Sequence, residues 1–209
     1  MDEMGMLTDH WRLLTGPVHP YDVPVFYNAR HSFNLDYPPP AYIGDVKRAR
    51  IIVLMANGGF DPKMTPTEFP DDNSIRRYID RLHNPVPVSP LDVSPYYGAG
   101  NHGKLIASGQ LAVVNAVAYR SRKISAERDN SSLAERLPST LLHRRWLREE
   151  LIPKALAGQR MVVVHRNRLW RIKKDEILHE NILYSKAPAS PYLARDDLRK
   201  MEAFLCACD

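Results

Sequence analysis

Four short apolar runs, each ending on a polar residue, constrain this chain more than any other feature. They are Ile51-Ile52-Val53-Leu54 reaching Asn57, Leu111-Ala112-Val113-Val114 reaching Asn115, Met161-Val162-Val163-Val164 reaching His165, and Ile182-Leu183-Tyr184 reaching Ser185 and Lys186. Runs this short and this rich in β-branched side chains read as strands buried on both faces, the habit of parallel sheets. Such sheets bind ligands beyond the carboxyl ends of their strands. If the runs are neighbours, Asn57, Asn115, His165 and Lys186 converge on one crevice.

Helical patterns fill the intervals. Ile75, Tyr78, Ile79 and Leu82 share one face of a helix over 73–82. Leu142, Trp146, Ile152 and Leu156 share a face over 139–156, with Ser139 or Thr140 as cap, a bend at Pro153 and a stop at Gly158. Shorter helices are expected over 9–14 and 102–108, and a last one over 195–205 carries Asp196 and Asp197 where the helix dipole favours acidic groups. Strands alternating with helices specify an α/β fold, here a three-layer α/β/α sandwich around a central, mostly parallel four-stranded sheet. Pro17, Pro20, Pro24 and Pro38-Pro39-Pro40 interrupt regular structure, so 1–46 reads as an irregular N-terminal arm packed on a domain over 47–209. The loops 57–72 and 84–100 are too irregular for plain turns, and long loops at strand ends tend to carry function.

Composition narrows the class. With 209 residues, 44% hydrophobic and 25% charged, the chain suits one soluble α/β domain. No stretch approaches the roughly 20 apolar residues of a membrane span. The start Met1-Asp2-Glu3-Met4 lacks the basic and apolar regions of a signal peptide, so a cytoplasmic location is expected. Cys206 and Cys208 have no further Cys or His nearby to complete a metal site, and no motif calls for a cofactor. The net charge of +5 gathers in Lys47-Arg48-Ala49-Arg50, Arg120-Ser121-Arg122-Lys123, His143-Arg144-Arg145 and 165–174. A surface like this attracts polyanions, nucleic acid foremost, and is equally consistent with a solvated basic face.

The segment Asn57-Gly58-Gly59-Phe60-Asp61 has paired glycines that let the backbone turn sharply and bring N–H groups close to a ligand, although Asn-Gly also makes ordinary turns. It is not a phosphate loop, because the Gly-Lys-Ser/Thr ending is absent. Tyr42-Ile43-Gly44-Asp45, a buried strand and then Asn57-Gly58-Gly59-Phe60 resemble the first motif of the uracil-DNA glycosylase superfamily. The strand Val113 to Tyr119 with Asn115 resembles its second element, and 161–170 its third strand and following segment. Ile182-Leu183-Tyr184-Ser185-Lys186-Ala187-Pro188-Ala189-Ser190-Pro191 resembles the strand entering its His-Pro-Ser-Pro loop. The similarity covers roughly 41–205 in the same order.

That resemblance implies hydrolysis of an N-glycosidic bond in DNA without metal or cofactor. Cleavage leaves positive charge on the sugar and negative charge on the departing base, so such a site needs a positioned water and donors aimed at the base. Asn57 would position the water. Asn115, Phe60, Gly58 and Gly59 would hold the base, and Lys186, Ser190, Arg120, Ser121 and His165 would contact the leaving group or phosphates. The chain departs from the pattern at three places, one of them Gly58, where a proline is usual. Ala187 stands where the leaving-group histidine falls, and Asn57 replaces the aspartate of the strongest members, an amide that orients water but takes no proton. The alternative is a non-catalytic relative that binds a nucleotide, nucleic acid or protein partner in the same crevice. His165 alone reads more readily as a structural hydrogen bonder, Asp61 as a solvated loop carboxylate, and Trp146 and Trp170 as core.

Overall fold

The computed structural model describes residues 5–88, 102–124, 126–187 and 192–207. Each apolar run forms a strand of one sheet: β2 (Ile51–Gly59), β3 (Leu111–Ser121), β4 (Met161–Val164) and β5 (Ile182–Tyr184). A fifth strand, β1 (Tyr42–Ile43), joins the edge, giving the order β1-β3-β2-β4-β5. The pairs β2–β3, β2–β4 and β4–β5 are parallel and β1–β3 is antiparallel. The fold is α/β with a mixed five-stranded sheet, not the four strands expected. Two residues are too few to show any period, so β1 leaves no pattern to read.

Among the described residues the helices are α1 (Met6–Trp11), α2 (Val23–Tyr27), α3 (Thr65–Glu68), α4 (Asp72–His83), α5 (Gly103–Ala107), α6 (Arg128–Ala134), α7 (Pro138–Trp146), α8 (Ile152–Leu156) and α9 (Arg195–Cys206). Alternate strand residues feed two cores. Ile52, Leu54, Val114, Val162 and Val164 pack with Leu7 and Trp11 of α1, Leu82 of α4 and Trp146 of α7. Ile51, Val53, Val113, Met161 and Val163 pack with Ile106 of α5 and Met201 of α9. Both faces are covered, as parallel strands of continuous apolar sequence require. Among the described residues no helix is long and apolar enough to cross a membrane.

The segment ahead of β2 is woven into the first core. Leu7, Trp11, Leu14, Phe26 and Phe33 are buried there. Asp22, fully buried, accepts the Tyr119 hydroxyl at 2.6 Å and the Ser139 backbone N–H at 3.0 Å. Ser139 was expected to cap α7, but it lies within the first turn and one of the helix's orphan N–H groups goes to this distant carboxylate. The expected single helix over 139–156 is also interrupted. Residues Leu147–Leu151 form a π turn in which the Ile152 amide bonds to the Leu147 carbonyl. Pro153 follows immediately and has no N–H to continue the α-helical ladder, which locates the irregularity one turn ahead of it.

Two local features shape the carboxyl edge of the sheet. Asn57 lies opposite Val117 but Gly59 lies opposite Ser121, so the β2–β3 register slips at a bulge. At Gly58, a Cβ would lie 2.1 Å from the Pro40 side chain, so only glycine lets the triple proline lie this close to β2.

A candidate binding cavity at the carboxyl edge

The chain leaves β2 for β3 on one side of the sheet, while β4 leads on to β5 on the other. The strand order therefore reverses between β2 and β4, where open α/β sheets place ligands. A cavity of about 530 Å³ lies there. Its wall includes Asn57 and Gly59 from the end of β2, residues 121–124 from the end of β3, and residues 166–169 after β4. Four cations, Arg122, Lys123, Arg166 and Arg168, meet on it, and no Asp, Glu or His lines it among the described residues. Two basic runs, far apart in sequence, are brought together because β3 and β4 flank the same strand.

Asn57 is held by its nitrogen. Its Nδ2 donates to the Gly58 carbonyl at 2.8 Å and to Ser121 Oγ at 3.0 Å, with the Tyr119 carbonyl at 3.4 Å. Carbonyls only accept, so the orientation of this amide is fixed by its surroundings. Asn57→Asp would set a carboxylate oxygen against the same carbonyls. The expected loss is about 2–3 kcal/mol, read by urea unfolding, rather than a gain of proton-abstracting activity. An Asn57→Asp protein as stable as the parent at pH 8 would contradict this account of the amide.

The remaining candidates divide. Ser121 and Gly59 line the cavity with Asn57. Gly58 serves the contact with Pro40, and the Phe60 N–H bonds to the Ser121 carbonyl without Phe60 lining the cavity. Asn115 is elsewhere: β3 continues past it to Ser121, and its fully buried Nδ2 donates to the Pro40 carbonyl at 2.5 Å. The structure does not bring Asn57 and Asn115 together in the cavity, and the base-holding role read for Asn115 has no geometry to support it. Arg120 also points inward. It is 3% exposed, pairs with Glu68 at 2.9 Å, bonds the Gly59 carbonyl at 3.3 Å and lies over the Phe69 ring, so it is not a phosphate contact.

His165 and Lys186 stand outside the wall as well. His165 is buried and its Nδ1 lies 2.9 Å from Ser185 Oγ, which donates to Asp197 at 2.9 Å. The Lys186 ammonium is exposed and paired with Asp196 at 2.8 Å, which raises its pKa. Ser190 and most of the 84–100 loop lie outside the described residues. Asp61 accepts the N–H groups of Met64 and Lys63, which hold its carboxyl below the usual range. His102 is buried next to His165, and burial foremost pushes it down to about 4. Among the described residues no cluster of three or more His, Cys, Asp or Glu could hold a metal.

Sequence reasoning gave no role to Arg166, Asn167, Arg168 and Ser131. For Arg166, Asn167 and Arg168 the signal was the basic run after the third strand, which becomes specific only once β4 is known to flank β2; Ser131, on α6, left none. No family model matches the chain, and neither a curated protein nor a solved structure matches it.

Proposed function

We propose that this chain is a uracil-DNA glycosylase-like α/β/α sandwich protein that binds DNA or a nucleobase in the cavity at the ends of β2, β3 and β4. The observation that carries this reading is the make-up of the wall: an amide and a hydroxyl between four cations, with no carboxylate among the described lining residues. Cations around a polar floor suit phosphates outside and a base edge within. Asn57 can position a water or a base, but it cannot act as a base itself. The same wall, without His, Asp or Glu among its described residues, favours binding without excision over hydrolysis of the N-glycosidic bond.

The test is one incubation series with oligonucleotides carrying uracil, mismatches or damaged bases, reading affinity against salt and release of free base. Affinity is expected to fall steeply with salt. Arg122→Ala and Arg168→Ala, both at exposed positions, are expected to weaken binding by about fivefold to tenfold and to lower the salt slope by about one each, with unchanged thermal unfolding. Release of a base would make the protein an enzyme. Absent or salt-independent binding would overturn the reading.

A further inference from the structure

Among the described residues two hydroxyl-bearing side chains line the cavity, Ser121 and Ser131. They differ in access. Ser121 is buried in the sheet and accepts a bond from Asn57, whereas Ser131 is half-buried on α6, a helix of seven residues. A helix that short is marginal in water by itself, so local opening of α6 presents Ser131 without disturbing the sheet. The approach is also marked in sequence. Arg128 lies three residues ahead of Ser131 and is exposed, the spacing that arginine-directed serine kinases read through carboxylates in their substrate groove.

The space beside Ser131 lacks negative charge. Arg122, Lys123 and Arg168 line it, and none of the three makes an ion pair among the described residues. A volume of about 530 Å³ leaves ample room for a phosphate. In the unmodified protein the Ser131 hydroxyl donates to the Ile124 carbonyl at 2.6 Å. A phosphate ester oxygen has no proton to give and is repelled by a carbonyl, so a phosphoryl group on Ser131 turns away from Ile124 and toward the cations.

We propose that Ser131 is a phosphorylation site, and that its phosphate occupies the cavity and excludes polyanions from it. The γ-phosphoryl group of a nucleoside triphosphate passes to Ser131 Oγ, the hydroxyl proton goes to the base of the kinase, and the nucleoside diphosphate leaves. The product carries about two negative charges near neutral pH and strong acceptor oxygens, which arginine and lysine meet with charge-assisted hydrogen bonds. Because it is tethered to the wall, it competes with an incoming phosphodiester as an intramolecular ligand. The effect on binding rests on the cavity being a nucleic-acid site; the seat for the phosphate does not.

Two preparations of the full chain test this. In the first, an arginine-directed serine kinase and magnesium ATP act on the purified protein, and fragment masses locate the label. Phosphate is expected on Ser131, absent from that position in Ser131→Ala, and about fivefold slower to form in Arg128→Ala. Label confined to Ser125 or Ser132, close by in sequence, overturns the assignment. In the second, phosphoserine is encoded at position 131 and titrated by phosphorus NMR. Its second ionisation is expected about one pH unit below that of the same residue in an unfolded peptide, and to return toward it when Arg168→Ala is added. Equal ionisation in protein and peptide means that the phosphate stays in water, and overturns the proposal. The phosphoserine protein is also expected to bind oligonucleotides at least about tenfold more weakly than the unmodified chain. Equal affinity overturns the exclusion of polyanions. Failure of the unmodified chain to bind any oligonucleotide removes the nucleic-acid reading instead, and the phosphorus titration then decides by itself whether the phosphate docks.

Discussion

Arg120→Ala is expected to remove about 3–5 kcal/mol of stability, seen as a lower urea midpoint at unchanged slope. The arginine sits almost wholly out of water, and three partners share it. Glu68 takes one nitrogen at 2.9 Å, the Gly59 carbonyl takes another at 3.3 Å, and the Phe69 ring lies under the guanidinium at 5.5 Å. Truncation would take from the largely buried Glu68 carboxylate its 2.9 Å partner and leave a void beside it, and the loss of that pair dominates the effect. The same change frees the carbonyl of Gly59, which lines the cavity, so the nucleic-acid affinity proposed above should fall along with stability. Arg120→Lys is expected to recover only part of the loss. A single ammonium can meet Glu68 but lacks the planar fork that also reaches Gly59 and covers Phe69. A loss below about 1 kcal/mol for Arg120→Ala would show the pair to be effectively solvated.

Acid should unfold this protein well before its carboxylates are titrated. Burial, reinforced by neighbouring histidines, pushes His10 down to about 3, and burial foremost pushes His143 down to about 4. The geometry explains the preference for the neutral rings. His143 Nε2 accepts the Trp11 indole N–H at 2.8 Å and its Nδ1–H donates to the Asn115 carbonyl at 2.6 Å. Protonation would turn the accepting nitrogen into a donor facing another donor. His10 stacks on His19 at 3.8 Å, which gives a charged ring little water. Below about pH 6.5 the unfolded chain takes a proton on each of these rings, and on His102, that the folded chain refuses until about pH 3 to 4. Unfolding thus takes up protons in that window and stability falls as pH falls, by up to about 1.4 kcal/mol per pH unit for each histidine. Urea midpoints measured from pH 7.5 to 4.5 should be level above about pH 7 and then decline. A flat profile down to pH 5 would refute the account.

The strands were legible because their side chains announce burial on both faces, α4 because Ile75, Tyr78, Ile79 and Leu82 recur at helical spacing, and α9 because Asp196 and Asp197 suit a first turn. The order of the strands was not legible, and the site depends on it. Asn115 shows why: an apolar run that meets a polar residue reads as a strand end, yet here the strand passes through its asparagine to Ser121. Nothing local in sequence distinguishes an amide bonded to the carbonyl of a remote proline from one offered to a ligand. Arg120 misled for a related reason. It belongs to a basic run whose next two members, Arg122 and Lys123, do reach the cavity, while the inward position falls to Arg120 beside the bulge. Asn57 and Ser121 were legible as residues of the crevice, but the fixed direction of the amide required coordinates.

The bonds that fasten α1 have a consequence for how the chain must reach this state. Trp11 meets His143 across 132 positions, and the Met6 amide meets Glu150 across 144. During synthesis the apolar side of that first helix emerges long before its seat exists, so its docking waits for most of the sheet and belongs among the late, slow steps of folding. Until then Leu7, Trp11 and Leu14 offer a greasy handle to chaperones or to other nascent copies. Shearing the helix off afterwards would leave the His143 imidazole open to solvent.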